Sequence, residues 1–179
     1  VVLARPVADA LGAPLDVIVA RKIGAPGNPE FAIGAVTARG TRVLNERVLR
    51  QVMLPPGYLQ QATEAQREEA ERREAMFRGL HGHVPLAGKT ALIVDDGVAT
   101  GMTMFAAIAD ARAAQARRVV VAAPVIAPDT YQELLRQADA VEALEVPADF
   151  FAVGQFYENF AQTTDDEVKA LLSAGTRAG

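Results

Sequence analysis

The 179-residue chain has no cysteine and no tryptophan, two histidines and only ten aromatic residues, three Tyr and seven Phe. Without cysteine, disulfides, thiolate catalysis and cysteine-ligated zinc are all excluded, which fits a reducing, cytoplasmic setting. No apolar run approaches the roughly 20 residues that span a bilayer, and no basic stretch leads into an apolar one as in a secretion signal, so no membrane role is expected. Net positive charge is also lacking: 18 Lys and Arg against 22 Asp and Glu give −4. That balance argues against unaided binding to a phosphate backbone, and nucleic acid is not an expected partner. What is present is a 50% hydrophobic composition with 22% charged residues and no long block of one sign. Such a chain buries a sizeable core and forms one domain over residues 1–179. It opens "VVLARPVADALG", without an initiator methionine and as though already inside a helix, so a preceding portion is expected.

Period and punctuation give alternating helices and strands. Residues 1–12 carry an amphipathic pattern (Val2, Leu3, Val7, Leu11) closed by Gly12, and "LDVIVA" at 15–20 reads as a short β-branched strand. "RKIGAPGNPEF", with two Gly and two Pro, reads as an irregular loop, followed by two short strands in "FAIGAV" and "TRVL". Residues 58–79 predict a long, charged, solvated helix laced with i,i+4 pairs. Then come a strand "TALIVD", a helix "MTMFAAIADARAAQ", a strand "RRVVVAAPV", a helix "PDTYQELLRQA", a strand "AVEALEV" and a final helix "TTDDEVKALLSAG". Continuous apolar strands alternating with helices indicate an α/β fold, doubly wound, with a mostly parallel central sheet covered on both faces.

In such sheets ligands bind at the carboxyl ends of the strands. That is where "ALIVDDGVATGMT" at 91–103 lies. Asp95 and Asp96 follow the buried run, Gly97 and Gly101 permit special backbone conformations, and Thr100 or Thr103 can cap the next helix. A helix N-terminus favours an anion, so the loop suits a phosphate. It is neither a Walker loop, since Met102 follows Gly101, nor a dinucleotide fingerprint, since three residues separate the glycines. Two carboxylates beside a phosphate repel it unless they meet vicinal hydroxyls or a divalent cation. A ribose 5-phosphate meets both demands.

The string closely resembles the phosphoribosyl-pyrophosphate (PRPP) motif of the type I phosphoribosyltransferases: an apolar run, two acids, a short spacer and Ala-Thr-Gly-x-Thr. The resemblance implies that Asp95 and Asp96 hold the ribose hydroxyls, directly or through Mg²⁺. It implies also that Gly97, Val98, Ala99, Thr100, Gly101, Met102 and Thr103 enclose the 5-phosphate. "ARKIGAPG" is similar to the Arg-Lys-x-Gly segment of adenine phosphoribosyltransferases, which assigns Arg21 and Lys22 to the pyrophosphate. "VPADFFAVGQFYENF", holding five of the ten aromatics, resembles the base-stacking segment of hypoxanthine-guanine phosphoribosyltransferases. There Phe151 takes the stacking position with Phe150 as its rival, Ala152 and Tyr157 join the base site, and Glu158 stands where that family carries an acid near the metal. This segment forms a small hood over the site, and either residues 23–30 or the region near 40–60 supplies a closing loop.

Two departures accompany the matches. The 6-oxopurine enzymes carry a proton-exchanging aspartate where this chain has Ala99, which weakens hypoxanthine or guanine as acceptor. Type I enzymes also place a strand and a pyrophosphate loop ahead of the first core helix, and these are expected to be missing here. His81 and His83 lack a third ligand nearby and read as loop residues. The expected activity is Mg²⁺-assisted transfer of ribose 5-phosphate from PRPP to a nitrogenous base, with pyrophosphate released and no side-chain nucleophile. A homodimer is the expected assembly. A binding module that keeps the PRPP loop without turnover is the alternative, whereas a PRPP-making pyrophosphokinase needs a duplicated domain that 179 residues cannot house.

Overall fold

The three apolar runs in the second half of the chain form the strands their composition predicts. In the computed structural model, which describes residues 1–79 and 82–174, β4 (Thr90–Val94), β5 (Arg118–Val125) and β6 (Ala140–Glu145) make a parallel sheet in the order β4-β5-β6. Before them come α1 (Ala4–Leu11), β1 (Ala20–Ala25), β2 (Asn28–Thr37), β3 (Arg42–Leu44), α2 (Glu46–Leu49) and α3 (Tyr58–Arg78). The parallel strands are joined by α4 (Met102–Ala113) and α5 (Pro128–Gln137), and the chain continues through a 3-10 turn, Val153–Phe156, to α6 (Asp165–Ala174). Among the described residues no helix is long and apolar enough to cross a membrane.

The central element is α4. Eight of its twelve residues are buried, which is the pattern of a helix enclosed on all sides. One side meets Val119, Val121 and Val141 of the parallel sheet, and the other meets Ala35 of β2, all within one apolar cluster. One buried charge fixes the second contact: Asp110, 2% exposed, accepts hydrogen bonds from Thr37 Oγ1 at 2.7 Å and Thr41 Oγ1 at 3.0 Å. The far face of β1 and β2 (Ile23, Ala25, Ile33, Val36) packs on Val48, Leu49, Leu59 and Ala62 from α2 and α3. The long helix carries the expected intrahelical ion pairs, Arg67 with Glu64 and Glu71, and Arg72 with Glu69. At the start of α6, Glu167 accepts from the Thr164 backbone and hydroxyl while its own N–H donates back, a reciprocal cap.

The expected parallel central sheet forms with three strands, and among the described residues it is accompanied by a second three-stranded sheet, the antiparallel β1-β2-β3. The stretch read as an irregular loop is a hairpin: Pro26 and Gly27 lie between the paired residues Ala25 and Asn28, with Gly27 at φ +73° as the third position of a type II turn requires. Gly24 is needed because a Cβ there would lie 2.5 Å from the Pro29 Cα. The expected strand at 15–20 contributes only Ala20 to a ladder. Asp16 and Val17 are instead held by a side chain: Arg78 Nη1 donates to Asp16 Oδ2 at 2.9 Å and Arg78 Nη2 to the Val17 carbonyl at 2.8 Å. Leu15, Val17 and Ile18 line, together with β4, an apolar cavity of about 720 Å³, and the Val19 carbonyl accepts from the Ala38 N–H at 3.1 Å just beyond β2.

Candidate functional site

Asp95 and Asp96 sit just beyond the carboxyl end of β4. The Asp95 N–H donates to the Ala122 carbonyl at 3.1 Å, and its carboxylate accepts from the Asp96 N–H at 3.0 Å. Among the described residues neither carboxylate takes part in an ion pair. Burial first, and the Asp96 charge second, push the Asp95 carboxyl up to about 6, against the pull of the Asp96 N–H. The pair thus gathers negative charge that no side-chain cation among the described residues pairs with.

The turn that follows is held by its main chain. Val98 donates its N–H to the Val125 carbonyl at 2.9 Å, and the Val98 carbonyl accepts from the Ala127 N–H at 2.9 Å, which extends the β4–β5 register by one bridge. Val98 is 3% exposed, so it forms the floor of the turn and offers no donor to a ligand, contrary to the expectation that it joins the phosphate contacts directly. By contrast, among the described residues the N–H groups of Ala99, Thr100, Gly101, Met102 and Thr103 donate to no protein acceptor beyond the turn. The Thr100 and Thr103 hydroxyls are likewise uncommitted. Neither threonine caps α4, whose N-cap is Gly101 at φ +73°. These free donors at the positive end of α4 form a cradle for an anion.

The two glycines have different reasons. A Cβ on Gly101 would add strain at its positive φ and lie 2.7 Å from Thr130 Cγ2 and 2.9 Å from the Phe105 ring. Gly97 has no positive φ, contrary to the sequence expectation; it is required because Val153 Cγ1 would lie 2.5 Å from its Cβ. Val153 belongs to the aromatic segment, which therefore seats directly on the acid turn. A second tie is the Tyr157 hydroxyl, donating to the Asp96 carbonyl at 2.5 Å. Burial, then the charges of Asp96 and Asp95, raise the Tyr157 pKa above its ordinary value.

Within that segment the rings differ. Phe150 packs on Phe156 with centroids 5.7 Å apart, and Tyr157 packs on Phe160 at 5.2 Å. Phe151 is 88% exposed and free to receive a ring. The Ala152 N–H is already donated to Gln155 Oε1 at 3.1 Å, so that amide is not available to a base edge. Glu158 is exposed, and it does not gather with Asp95 and Asp96: among the described residues no group of three or more acids and histidines could hold a cation. Arg21 and Lys22 lie inside β1, paired with Val36 and Ala35, rather than in a loop after a core strand. Arg21 is on the α3 face, where its Nε donates to Gln66 Oε1 at 2.9 Å. Lys22 is exposed on the opposite face, the one that α4 covers at Ala35. His83 lies in the expected loop with Arg39 Nη2 at 2.8 Å and Glu74 Oε1 at 3.3 Å, while His81 falls outside the described residues.

Three residues of the site carried no sequence signal. Thr130, from the first turn of α5, donates its hydroxyl to the Ala99 carbonyl at 2.5 Å. Val153 and Gln155 are ordinary residue types whose contacts exist only after folding.

A parallel sheet with an acid pair and an anion cradle at one strand end defines a family. The sequence profile of the phosphoribosyl transferase domain matches residues 1–160, and the chain belongs to that family. Two Mycobacterium tuberculosis proteins, from strains CDC 1551 and H37Rv and each named "Putative phosphoribosyl transferase", are 46% identical over 175 residues. The match takes in 98% of this chain and 40% of theirs, so the chain spans about two fifths of the length of these relatives. The crystal structure of TT1426 from Thermus thermophilus superposes with a TM-score of 0.81 at 43% identity, covering 98% of this chain and 83% of that one.

Proposed function

We propose that the chain binds PRPP at the acid turn and transfers its ribose 5-phosphate to a nitrogenous base with release of pyrophosphate. The observation that carries this reading is the adjacency of two opposite devices. Free N–H groups at 99–103 suit a 5-phosphate, and the carboxylates of Asp95 and Asp96 suit the 2′ and 3′ hydroxyls one sugar away. Val98 and Thr130 shape that turn without touching the ligand. The thrust of Val153 against Gly97 brings the aromatic segment to the same strand end, where Phe151 is the stacking residue and Tyr157 a spacer between ring and acids. Of the two cations assigned to pyrophosphate, Lys22 is the better placed, because Arg21 is engaged with α3.

Two adjacent carboxylates with no third ligand beside them among the described residues fit Mg²⁺, which keeps most of its waters and is held through one or two carboxylates together with substrate oxygens. Asp95 and Asp96 would hold it, and when bound it offsets the charge that builds on the departing pyrophosphate. The chain's own part is position and electrostatics: amides fix the phosphate, carboxylates fix the ribose, and the hood keeps the nucleophile against C1 while excluding water. Nothing in this scheme needs a proton-transfer side chain at Ala99, which favours acceptors other than the 6-oxopurines.

Pyrophosphate release from PRPP and Mg²⁺ by the full-length protein, with adenine, hypoxanthine, guanine, uracil, orotate and nicotinamide in turn, tests the reading. Turnover with one base is expected, and Asp95→Asn or Asp96→Asn should weaken PRPP affinity about tenfold or more. PRPP binding with no turnover of any base would leave a binding module, and no PRPP or ribose 5-phosphate binding would overturn the site.

A further inference from the structure

We infer that Gln155 is a positioning residue that presents Phe151 to a flat aromatic ring, an assignment resting on the reading of the acid turn as a ribose 5-phosphate site. An exposed phenylalanine on a surface turn ordinarily folds back on the nearest apolar surface, because burying a ring is favourable. Phe150 does this, against Phe156. Phe151, its neighbour, remains 88% exposed, and the backbone around it is not loose. The Gln155 carboxamide bridges the turn with three hydrogen bonds. Its Oε1 accepts from the Phe151 N–H at 2.9 Å and the Ala152 N–H at 3.1 Å, while its Nε2 donates to the Asp149 carbonyl at 2.8 Å. Both halves of one carboxamide are used, and together they close residues 149–152 into a ring from which Phe151 stands outward.

The turn is also anchored at its far end. Val153 abuts Gly97 and Tyr157 reaches the Asp96 carbonyl, so the outward ring stands at a fixed offset from the carboxylates. Gln155 does not touch the ligand in this arrangement. It acts through Phe151, by removing conformations that a ligand ring would otherwise have to select against. The chemistry presented is an aromatic face whose own N–H and that of Ala152 are both committed to Gln155. The recognised group is therefore a planar heterocycle taken by stacking rather than by its edge.

The test compares equilibrium binding of ribose 5-phosphate, adenosine 5′-monophosphate and uridine 5′-monophosphate to the full-length protein and to Gln155→Leu. The nucleotides should bind more tightly than the sugar phosphate in the unmodified protein. In Gln155→Leu that advantage should fall about tenfold with ribose 5-phosphate affinity unchanged, and the Phe151 and Ala152 amides should exchange hydrogen faster. Phe151→Ala should lose the same advantage, and adding Gln155→Leu to it should cost nothing more. Gln155→Asn, one methylene too short to span the three bonds, should reproduce the loss and carries the test if the Leu variant does not fold. An unchanged nucleotide advantage in a folded Gln155 variant, or a further loss in the Phe151→Ala background, overturns the role of Gln155 alone. Failure of the unmodified protein to bind ribose 5-phosphate overturns the reading of the acid turn on which it rests.

Discussion

Residues 95–103 and residues 149–157 meet at Gly97, yet they are held by different means. The acid turn is fixed by main-chain bonds to the end of β5, by Thr130 beneath Ala99, and by two glycines at which a side chain would collide. The aromatic segment lies on the surface, and its shape depends on three Gln155 bonds, one Tyr157 bond and two ring pairs. Bonds between main-chain groups inside a fold persist as long as the fold does. Surface side-chain bonds contribute less each and can be exchanged for water. The first region therefore acts as a fixed frame and the second as an adjustable cover.

Replacing Gly101 by Val is the strongest test of the rigid side. It combines strain at φ +73° with an overlap against Thr130 and Phe105, and should cost about 3–4 kcal/mol in urea unfolding. The junction itself is probed by Gly97→Ala, which forces the new methyl against Val153 and should cost about 1–3 kcal/mol. Val153→Ala in the same chain should recover much of that loss, and strict additivity of the two would show that the regions are not in contact. A third measurement uses pH. The Asp95 carboxyl is raised from its ordinary value to about 6 by folding, so the native state binds the extra proton. The stability this gives is complete below about pH 4 and is lost as pH rises through about 6. Asp95→Asn should therefore match the parent protein near pH 4 and exceed its stability above pH 6, by on the order of 2 kcal/mol; a constant difference across that window would contradict the raised Asp95 carboxyl. On the adjustable side, Tyr157→Phe keeps the ring and removes one hydrogen bond, so it should cost no more than about 1 kcal/mol. Its effect should appear as a faster-exchanging segment rather than as a lower midpoint of unfolding.

The contrast also separates what could be read in advance from what could not. "ALIVDDGVATGMT" states its own structure, because an apolar strand, an acid pair and a glycine-bounded helix start are properties of neighbours in the chain. The elements β4 to β6, with α3, α4 and α5, were legible for the same reason. "RKIGAPGNPEF" was misread because two glycines and two prolines signal turns equally well in a loop and in a tight hairpin, and only the pairing of β1 with β2 distinguishes them. "LDVIVA" carries strand propensity, but a strand is a relation between two segments, and of these residues only Ala20 finds a ladder partner. For Arg21, the sequence pattern shows the charge but not its direction: strand register turns it toward Gln66.

From sequence alone follow the family's turn, the order of the helices and strands around it, and the chemistry of its donors and acids, since each depends on residues within a dozen positions. Tertiary structure alone decided that Gly97 serves Val153 rather than a special φ, that Phe151 stands free while Phe150 is engaged, and that Gln155 and Thr130 belong to the site. Those contacts join residues 31 or more positions apart, or bend a short turn back on itself. Nothing in local propensity favours them until burial of the core has brought the two strand ends together.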